Sequence, residues 1–558
     1  MTPSVAVLYK RDGYDTGSKR LMGRQAAGEG FLQGLMRYGT ASTIYCYAAQ
    51  QPEFAEFCAR VQPWMRQPKD LKWIPESNPP QLAQAGIFYR PDAGVADLAW
   101  QRRYFDQRGY SLCGLTHTIA SKGALQMIGD LLTAPVQPWD ALICTSEAVK
   151  TAVDSLLNHW ADYLADRLGA RPTTPVQLPV IPLGVDCERF QRNPEARDRL
   201  RHQLGIASED LVVLYVGRLI FYAKAHPVPM YMALEQAAQA VSRKVHLIQA
   251  GWFEDEREEV GFKESARLFC PSVNVLFVDG RHPDIRQNIW SAADIFISLA
   301  DNIQETFGLT PIEAMAAGLP VVVSDWNGYQ ETVRDRVDGF RIPTVTPPPG
   351  SGMEYAARYG IDALNYSTYI GHIAMMSAVE VNACAHALIT LMTQPELRQK
   401  MGDSGRQRAQ RVYDWKVVIA AYEALWTQLQ EQRQAASTIA PVKVGAPPHP
   451  LWDDPFRQFA HYPTATLGPE TVLQVSPLCT PEVLNQLQAT WITSFGAEQR
   501  LAVPAIAQLV QRLAAEGPQS LQTIATWYAD QHPVRLLATL GYLVKFNILE
   551  RKETESQQ

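Results

Sequence analysis

The sequence predicts an α/β protein that contains two doubly wound parallel sheets. The chain has 558 residues, which is too long for one hydrophobic core, so about two or three domains are expected. Short apolar runs alternate with amphipathic segments in two separate series, as in successive βαβ units. Residues 180–190, which contain Pro182 and Gly184, separate the two series.

The predicted elements follow from the apolar runs. In the first series, helices are predicted at 24–38 and 146–168, and buried strands at 5–9, 43–47, 86–89, 112–115 and 141–144. In the second series, strands are predicted at 211–216, 245–250, 273–277, 294–298 and 320–324. Two Rossmann-like domains should therefore face each other across a cleft, with a ligand at the carboxyl ends of the strands.

The C-terminal region differs from the rest in composition. A Pro-rich stretch at 436–480 indicates a linker, and residues 481–558 have helical periodicity, typical of a small helical or winged-helix-like module. Residues 477–558 contain six Lys/Arg and seven Asp/Glu, so this module is not expected to bind DNA. A docking or oligomerisation role fits it better.

Composition excludes several other classes of protein. The net charge of −6 provides no electrostatic footprint for nucleic acid. The eight cysteines form no Cys-x-x-Cys pair, so a zinc site is not expected. We expect a reduced, cytoplasmic compartment. The N-terminal residues MTPSVAVLYK do not resemble a signal peptide. No apolar run approaches about 18 residues, so no membrane span is expected, whereas contact with a membrane surface stays open.

Residues 305–313 form the most informative stretch of the chain. Thr310 suits a helix N-cap and Pro311 the first helical position. The apolar helix that follows should end at Gly318. Gly308 and Leu309 would then present free backbone N–H groups at the positive end of a helix, which can bind a phosphate or pyrophosphate without a metal.

The two carboxylates of this stretch have different explanations. Thr310 and Glu313 have the spacing of a capping box, in which Glu313 would simply bond back to the backbone of Thr310. Glu305 lies before the helix, next to the glycine-containing turn, and a capping box does not explain it. A ligand-binding role for both glutamates and a capping role for Glu313 therefore stay open.

Polar and glycine residues also follow the predicted strands and open one helix. Gly217 and Arg218 end the first strand of the second series, and Lys224 follows in a loop, so the two cations can clamp a diphosphate unless they are simply solvated. His117 ends a strand of the first series, where it can be a catalytic residue or serve a structural hydrogen bond. Gly23, at a helix start, permits close approach of a ligand, or belongs to an ordinary loop.

One run of residues carries a family resemblance. The run ETFGLTPIEAMAAGLPVVVSDWNGYQETV, residues 305–333, resembles the signature of retaining glycosyltransferases of the GT-B fold, family 4 type, also called group 1 glycosyl transferases. Asp338-Gly339-Phe340 follows in the family's order. Residues 180–190 resemble the family's interdomain linker, and Asp414-Trp415 resembles the start of its terminal crossover helix.

The resemblance implies domains and roles for named residues. It implies an N-terminal acceptor-side domain at 1–184, a nucleotide-sugar-binding domain at 185–412 and a crossover helix at 413–435, and it sets residues 344–378 apart as an insertion. The catalytic residues implied are His117, Arg218, Lys224 and Glu305. The donor-binding residues implied are Gly23, Gly217, Arg281, Phe307, Gly308, Leu309, Thr310 and Glu313. Within these sets, Glu305 would bind the hexose hydroxyls, Glu313 the ribose, and the backbone around Arg281 the nucleobase.

The resemblance also implies an activity. The protein is expected to be an EC 2.4 glycosyltransferase that moves a sugar from a nucleoside-diphosphate donor, UDP or GDP, to a hydroxyl of a sugar, lipid-linked or protein acceptor. It should retain the anomeric configuration and need no metal or cofactor. Two alternatives stay open, namely a nucleotide-sugar epimerase on the same fold and a non-catalytic binding scaffold. Membrane association and oligomerisation through the C-terminal module also stay open.

Overall fold

The computed structural model describes residues 3–17 and 23–552. The chain divides at Pro450 into two compact units, Met1–Pro450 and Leu451–Gln558. The first unit contains both predicted sheets, and the two units are described separately.

The first sheet belongs to the N-terminal domain. Its strands are parallel in the order β3-β2-β1-β4-β5-β6. They are β1 Val5–Leu8, β2 Thr43–Ala48, β3 Asp70–Pro75, β4 Ile87–Tyr89, β5 Ser111–Leu115 and β6 Ala141–Ile143. The helices between them are α1 Gly23–Tyr38, α2 Gln51–Val61, α3 Val95–Arg103, α4 Lys122–Gly129 and α5 Glu147–Leu168.

The second sheet repeats this architecture. Its parallel order is β12-β11-β10-β7-β8-β9. Its strands are β7 Leu211–Val216, β8 Val245–Gly251, β9 Asn274–Asp279, β10 Ile295–Ser298, β11 Val321–Ser324 and β12 Gly339–Ile342. Its helices are α6 Pro194–Gln203, α7 Pro227–Ala240, α8 Glu256–Phe269, α9 Pro283–Ala292, α10 Leu309–Ala316 and α11 Tyr329–Thr332. The predicted pair of doubly wound sheets is therefore confirmed.

The sequence missed the strands at two sheet edges. In β3 exposed and half-buried residues alternate, and β12 is only partly buried. Charged, glycine and proline residues interrupt both strands, so they lack the continuous apolar run by which buried parallel strands are recognised. The other two edge strands, β6 and β9, keep such a run and were predicted.

An insertion follows the second sheet. Strand β13, Thr344–Val345, pairs antiparallel with β14, Ala378–Val379, so that the two ends of the insertion meet. Between them lie α12, Met353–Gly360, and α13, Tyr366–Ala374. We call residues 344–379 the clasp.

The final helices of the first unit return the chain to the N-terminal domain. They are α14 Val381–Thr393, α15 Pro395–Arg408 and α16 Trp415–Ala435. Trp415, Tyr422 and Trp426 on α16 are buried in the core of the first sheet domain. Val185 exchanges backbone hydrogen bonds with the chain just before α16, because its N–H donates to Tyr413 and its carbonyl accepts from Trp415. The two crossings between the domains thus lie side by side.

The second unit is a small α/β module. Its helices are α17 Pro455–Gln458, α18 Pro481–Gln486, α19 Trp491–Ser494, α20 Val503–Glu516, α21 Leu521–Trp527 and α22 Pro533–Lys545. Strand β15, Val472–Val475, pairs antiparallel with β16, Gln519–Ser520, and β17, Leu549–Arg551. Strand β15 lies inside the stretch predicted to be a linker, where a short apolar run among prolines gave no strand signal. Among the described residues, no helix is long and apolar enough to cross a membrane.

Candidate active site

A cavity of about 240 Å³ lies between the two sheet domains of the first unit. It lies at the carboxyl ends of the second sheet's strands and faces α1 of the first domain. Ligands of open α/β proteins bind at this edge of the sheet. Of the sequence-predicted residues, the cavity is lined by Gly23, Gly217, Arg218, Lys224, Arg281, Leu309, Thr310 and Glu313.

Neighbouring strands of the second sheet end in glycine at this cavity. Gly217 follows β7, Gly251 ends β8 and Gly280 follows β9. A Cβ on Gly251 would lie 2.0 Å from the carbonyl oxygen of Gly217, and one on Gly280 would lie 3.1 Å from the backbone N of Gly251. The absence of side chains lets the three strand ends pack closely and leaves their backbone facing the cavity.

The helix at the cavity begins earlier than the sequence predicted. Gly308, with φ of 87°, is the N-cap and Leu309 is the first helical residue, so the expected N-cap at Thr310 was wrong. A Cβ on Gly308 would lie 1.9 Å from a ring carbon of the buried Tyr329. The left-handed backbone and the tyrosine ring together require glycine here. Leu309 and Thr310, the first helical residues, line the cavity, so the helix start and its backbone N–H groups still lie beside it.

Glu305 and Lys224 form an ion pair beside this helix start. Their Oε2 and Nζ atoms are 3.3 Å apart. The other carboxylate oxygen of Glu305 accepts hydrogen bonds from the backbone N–H groups of Thr306 and Phe307. Burial disfavours the charged form of Glu305, yet its pKa is lowered because Lys224 and these N–H groups stabilise the carboxylate. Glu305 itself is not a lining residue of the cavity and meets it through Lys224.

Arg218 has a hydrogen-bond donor without a partner in the same region. Its Nε is buried and has no hydrogen-bond partner among the described residues. The side chain is half-buried and lines the cavity. A buried guanidinium donor without a partner is costly, and an anion in the cavity would satisfy it.

Glu313 also faces the cavity. Because Gly308 is the N-cap, the alternative capping box between Thr310 and Glu313 does not form. Burial raises the pKa of Glu313 to about 7, and the nearby charges of Arg189 and Arg286 act against this rise. A carboxyl group held this way is able to exchange hydrogen bonds with ligand hydroxyls.

Two predicted site residues lie elsewhere. Phe307 is only 3% exposed and packs in the core, with its ring 6.1 Å from that of Tyr413. His117 lines a separate cavity of about 430 Å³ at the carboxyl end of the first sheet, with Arg24 and Asp92. Burial lowers the pKa of His117, which favours its neutral form. The structure thus places His117 on the other domain's side of the cleft.

The cavity also contains residues that sequence reasoning missed. Glu29 and Gln33 line it from one face of α1, and Trp252 directly follows β8. Arg189 and Arg286 line it from the interdomain segment and from α9. The four-residue spacing of Glu29 and Gln33 on α1 and the strand-end position of Trp252 could have predicted that these residues line the cavity. Nothing in the local sequence indicated that the two arginines meet at the cavity.

The loop that carries Lys224 rests on a buried acid. Asp301 is 3% exposed, and its Oδ2 accepts a hydrogen bond of 3.2 Å from the backbone N of His226. Its Oδ1 has no hydrogen-bond partner among the described residues. Burial raises the pKa of Asp301 to about 7. Gln304 supports the same loop through a 3.1 Å bond to the carbonyl of Ala223.

Asp301→Asn should weaken the dependence of stability on pH. The pKa of Asp301 is higher in the folded chain than in the unfolded one, so its stabilising contribution is present at low pH and is lost as the pH rises through about 7. Between pH 6 and pH 8 the wild type should lose about 1 kcal/mol more than the variant. The Tm at both pH values measures this, with the exposed Asp166→Asn as control. An identical pH dependence in all three proteins would contradict the assignment.

Among the described residues, no group of three or more His, Cys, Asp or Glu side chains is arranged to hold a metal ion. The lining of the cavity combines arginine, lysine and carboxylate residues with glycines and with apolar and aromatic residues such as Phe190 and Trp290.

Comparison with known proteins shows that part of the second sheet domain resembles a known family. The sequence model of the family described as glycosyl transferases group 1 matches residues 196–347. The D-inositol 3-phosphate glycosyltransferase of Geodermatophilus obscurus is 29% identical over 47% of this chain and 55% of that protein. The lipopolysaccharide 1,2-N-acetylglucosaminetransferase of Salmonella typhimurium is 26% identical over 29% of this chain and 42% of that protein. The chain thus spans about half the length of these curated relatives.

A solved structure has the same fold. HepE from Anabaena, in complex with UDP, aligns with a TM-score of 0.50 and 16% identity over 76% of this chain and 100% of that chain. The chain therefore has the two-domain GT-B fold, and its residues 196–347 carry the sequence pattern of the group 1 glycosyl transferases.

Proposed function

We propose that this protein is a retaining glycosyltransferase that transfers a sugar from a nucleoside-diphosphate sugar to a hydroxyl acceptor without a metal. The observation that carries the proposal is the convergence of positive groups on one cavity. Arg218, with its unsatisfied Nε, Lys224, and the helix start at Leu309 and Thr310 all line it. This set of donors matches a diphosphate.

The carboxylates around the cavity suit the sugar parts of the donor. Glu313 lines the cavity and takes the ribose hydroxyls, since a carboxylate can accept two hydrogen bonds from a diol. We assign Glu305, which Lys224 keeps ionised and which is reached from the cavity past that side chain, to the hydroxyls of the transferred sugar. Arg218, Lys224 and the helix start stabilise the negative charge that develops on the leaving diphosphate.

The reaction we propose proceeds on one face of the sugar. The bond from the anomeric carbon to the phosphate oxygen breaks, and a bond to the acceptor oxygen forms on the same face. The acceptor proton passes to the leaving phosphate oxygen, so no protein nucleophile is needed. The acceptor approaches from the first domain, where His117 lines the facing cavity and orients the sugar by hydrogen bonds.

UDP is the first nucleotide to test, because the solved HepE structure of the same fold contains it. UDP should raise the Tm of the full chain through linkage, by an amount equivalent to about 2.7 kcal/mol at 100 times its Kd. GDP and ADP serve as comparisons, and a chelator should leave the shift unchanged. An absolute requirement for magnesium, or conversion of UDP-glucose to an epimer without an acceptor, would contradict the proposal.

A further inference from the structure

The clasp contacts both domains at the sides of the cleft. On the N-terminal domain, the hydroxyl of Tyr366 lies 3.2 Å from Oγ1 of Thr118, the residue after His117. The backbone N–H of Lys122, at the start of α4, donates to the hydroxyl of Tyr359 over 3.1 Å. The Lys122 ammonium also pairs with Asp362 and lies 5.1 Å from the centroid of the Tyr359 ring. These contacts join α12 and α13 to the acceptor-side strand end and the helix that follows it.

The opposite side of the clasp packs on the loop that carries Lys224. Ile370 of α13 is 1% exposed and forms a small apolar cluster with Ile220 and Ala223 of this loop. Gly371 lies so close that a Cβ there would be 3.0 Å from Cβ of Tyr222. The loop is therefore held between Asp301 on one side and α13 on the other.

Tyr366 stands between the two contact regions. Its ring packs on the apolar cluster of the loop, while its hydroxyl bonds Thr118. Burial raises the pKa of the Tyr366 hydroxyl, and the charge of Arg218 is close enough to act in the opposite direction. The same side chain thus connects the segment of His117 with the loop that begins at Arg218.

We infer that the clasp is a positioning device that couples the Arg218–Lys224 loop to the His117 side of the cleft, so that occupation of the donor cavity is transmitted to the acceptor side. The two tyrosine hydroxyls, together with the exposed ion pair of Lys122 with Asp362, form its link to the first domain, and Ile370 forms its link to the donor loop. This inference rests on the proposed function for the identity of the ligand. The structural coupling itself rests on the contacts of Tyr359, Tyr366 and Ile370.

Hydrogen–deuterium exchange of the full chain, with UDP as the probe, tests the coupling. In the wild type, UDP should slow exchange in residues 219–226 and also in residues 116–124. In Tyr359→Phe/Tyr366→Phe, which keeps both rings, UDP should still protect 219–226 but no longer 116–124. Without ligand, residues 116–124 should exchange at least about fivefold faster than in the wild type, because both hydroxyl bonds to the clasp are lost and the exposed ion pair of Lys122 with Asp362 that remains contributes little.

Two further variants serve as a control and as a test of the other partner in the Tyr366 hydrogen bond. Tyr355 lies on α12, and its ring contacts His372 of the clasp itself, so Tyr355→Phe should behave like the wild type. Thr118→Val should reproduce the effect of Tyr366→Phe and should add nothing to it, as expected for one shared bond. The double Phe variant should lower kcat for transfer from UDP-glucose about tenfold while the Kd for UDP stays within about threefold.

The outcomes separate the two proposals. Persistent UDP protection of 116–124 in the double Phe variant would overturn the coupling. If UDP protects nothing at 219–226 in the wild type, the proposed function fails. In that case the exchange rates of residues 116–124 without ligand still test the structural coupling. Unchanged rates in the double Phe variant would overturn the coupling.

Discussion

Lys224→Met should reduce kcat about 100-fold, equivalent to about 2.7 kcal/mol in the barrier. Two roles are lost together. The ammonium no longer offsets the negative charge on the leaving diphosphate. Glu305 also loses its ion pair with Lys224, in which Nζ and Oε2 are 3.3 Å apart and which keeps the carboxylate charged. The measurement is steady-state transfer from UDP-glucose, together with the Tm of the variant.

A double variant separates catalysis from stability in this pair. Lys224→Met alone leaves a buried carboxylate without its cation, so its Tm should fall. Lys224→Met/Glu305→Gln should recover much of that Tm but none of the activity. Lys263→Met, which breaks an exposed pair with Glu259, is the control and should change neither quantity. Near-wild-type turnover in Lys224→Met would remove Lys224 from the proposed mechanism.

Gly308→Ala should be among the most destabilising single substitutions in the second sheet domain. The added Cβ would lie 1.9 Å from a ring carbon of Tyr329, which is 2% exposed and hydrogen-bonded to Ser298. The ring has no free space into which it can move, so the helix start must shift. We expect a loss of about 3 kcal/mol or more, from steric overlap added to the cost of the left-handed backbone. UDP binding should be lost with it.

Gly169 provides a matched control for the energetic cost of placing alanine in the left-handed backbone conformation. It has φ of 77°, close to the 87° of Gly308, but a Cβ there would meet nothing within 4 Å. Gly169→Ala should therefore cost only about 1 kcal/mol. Thermal or urea unfolding of both variants measures the difference. Equal losses in the two would show that the contact with Tyr329 carries no energy.

The sequence predicted the fold well because its signals are local. Buried parallel strands such as β7 and β8 are continuous apolar runs, and these were recognised to within a residue or two. Strand ends with glycine and cations, such as Gly217 and Arg218, were recognised because the edge of a doubly wound sheet collects ligands. The strands β3 and β12 were missed because charged, glycine and proline residues interrupt their apolar pattern.

The candidate site was predicted only in part. Arg218, Lys224 and Glu313 line one cavity, as their positions suggested, and His117 lies at a strand end of the first domain, but Phe307 packs in the core. The N-cap was misplaced because Thr310 and Pro311 have good local propensities for the helix start. The contact of Gly308 with the ring of Tyr329, 21 residues later, outweighs those propensities.

The amino-acid pattern alone established a pair of βαβ domains, the strand-end cations and the run of residues 305–333. These follow from periodicity, turn chemistry and residue order, all of which act over a few positions along the chain. Packing established the rest, including the ion pair of Lys224 with Glu305 and the bond of Thr118 to Tyr366, whose partners are 81 and 248 residues apart. Contacts over such separations depend on how two sheets and an insertion pack against each other, and no local preference encodes that geometry.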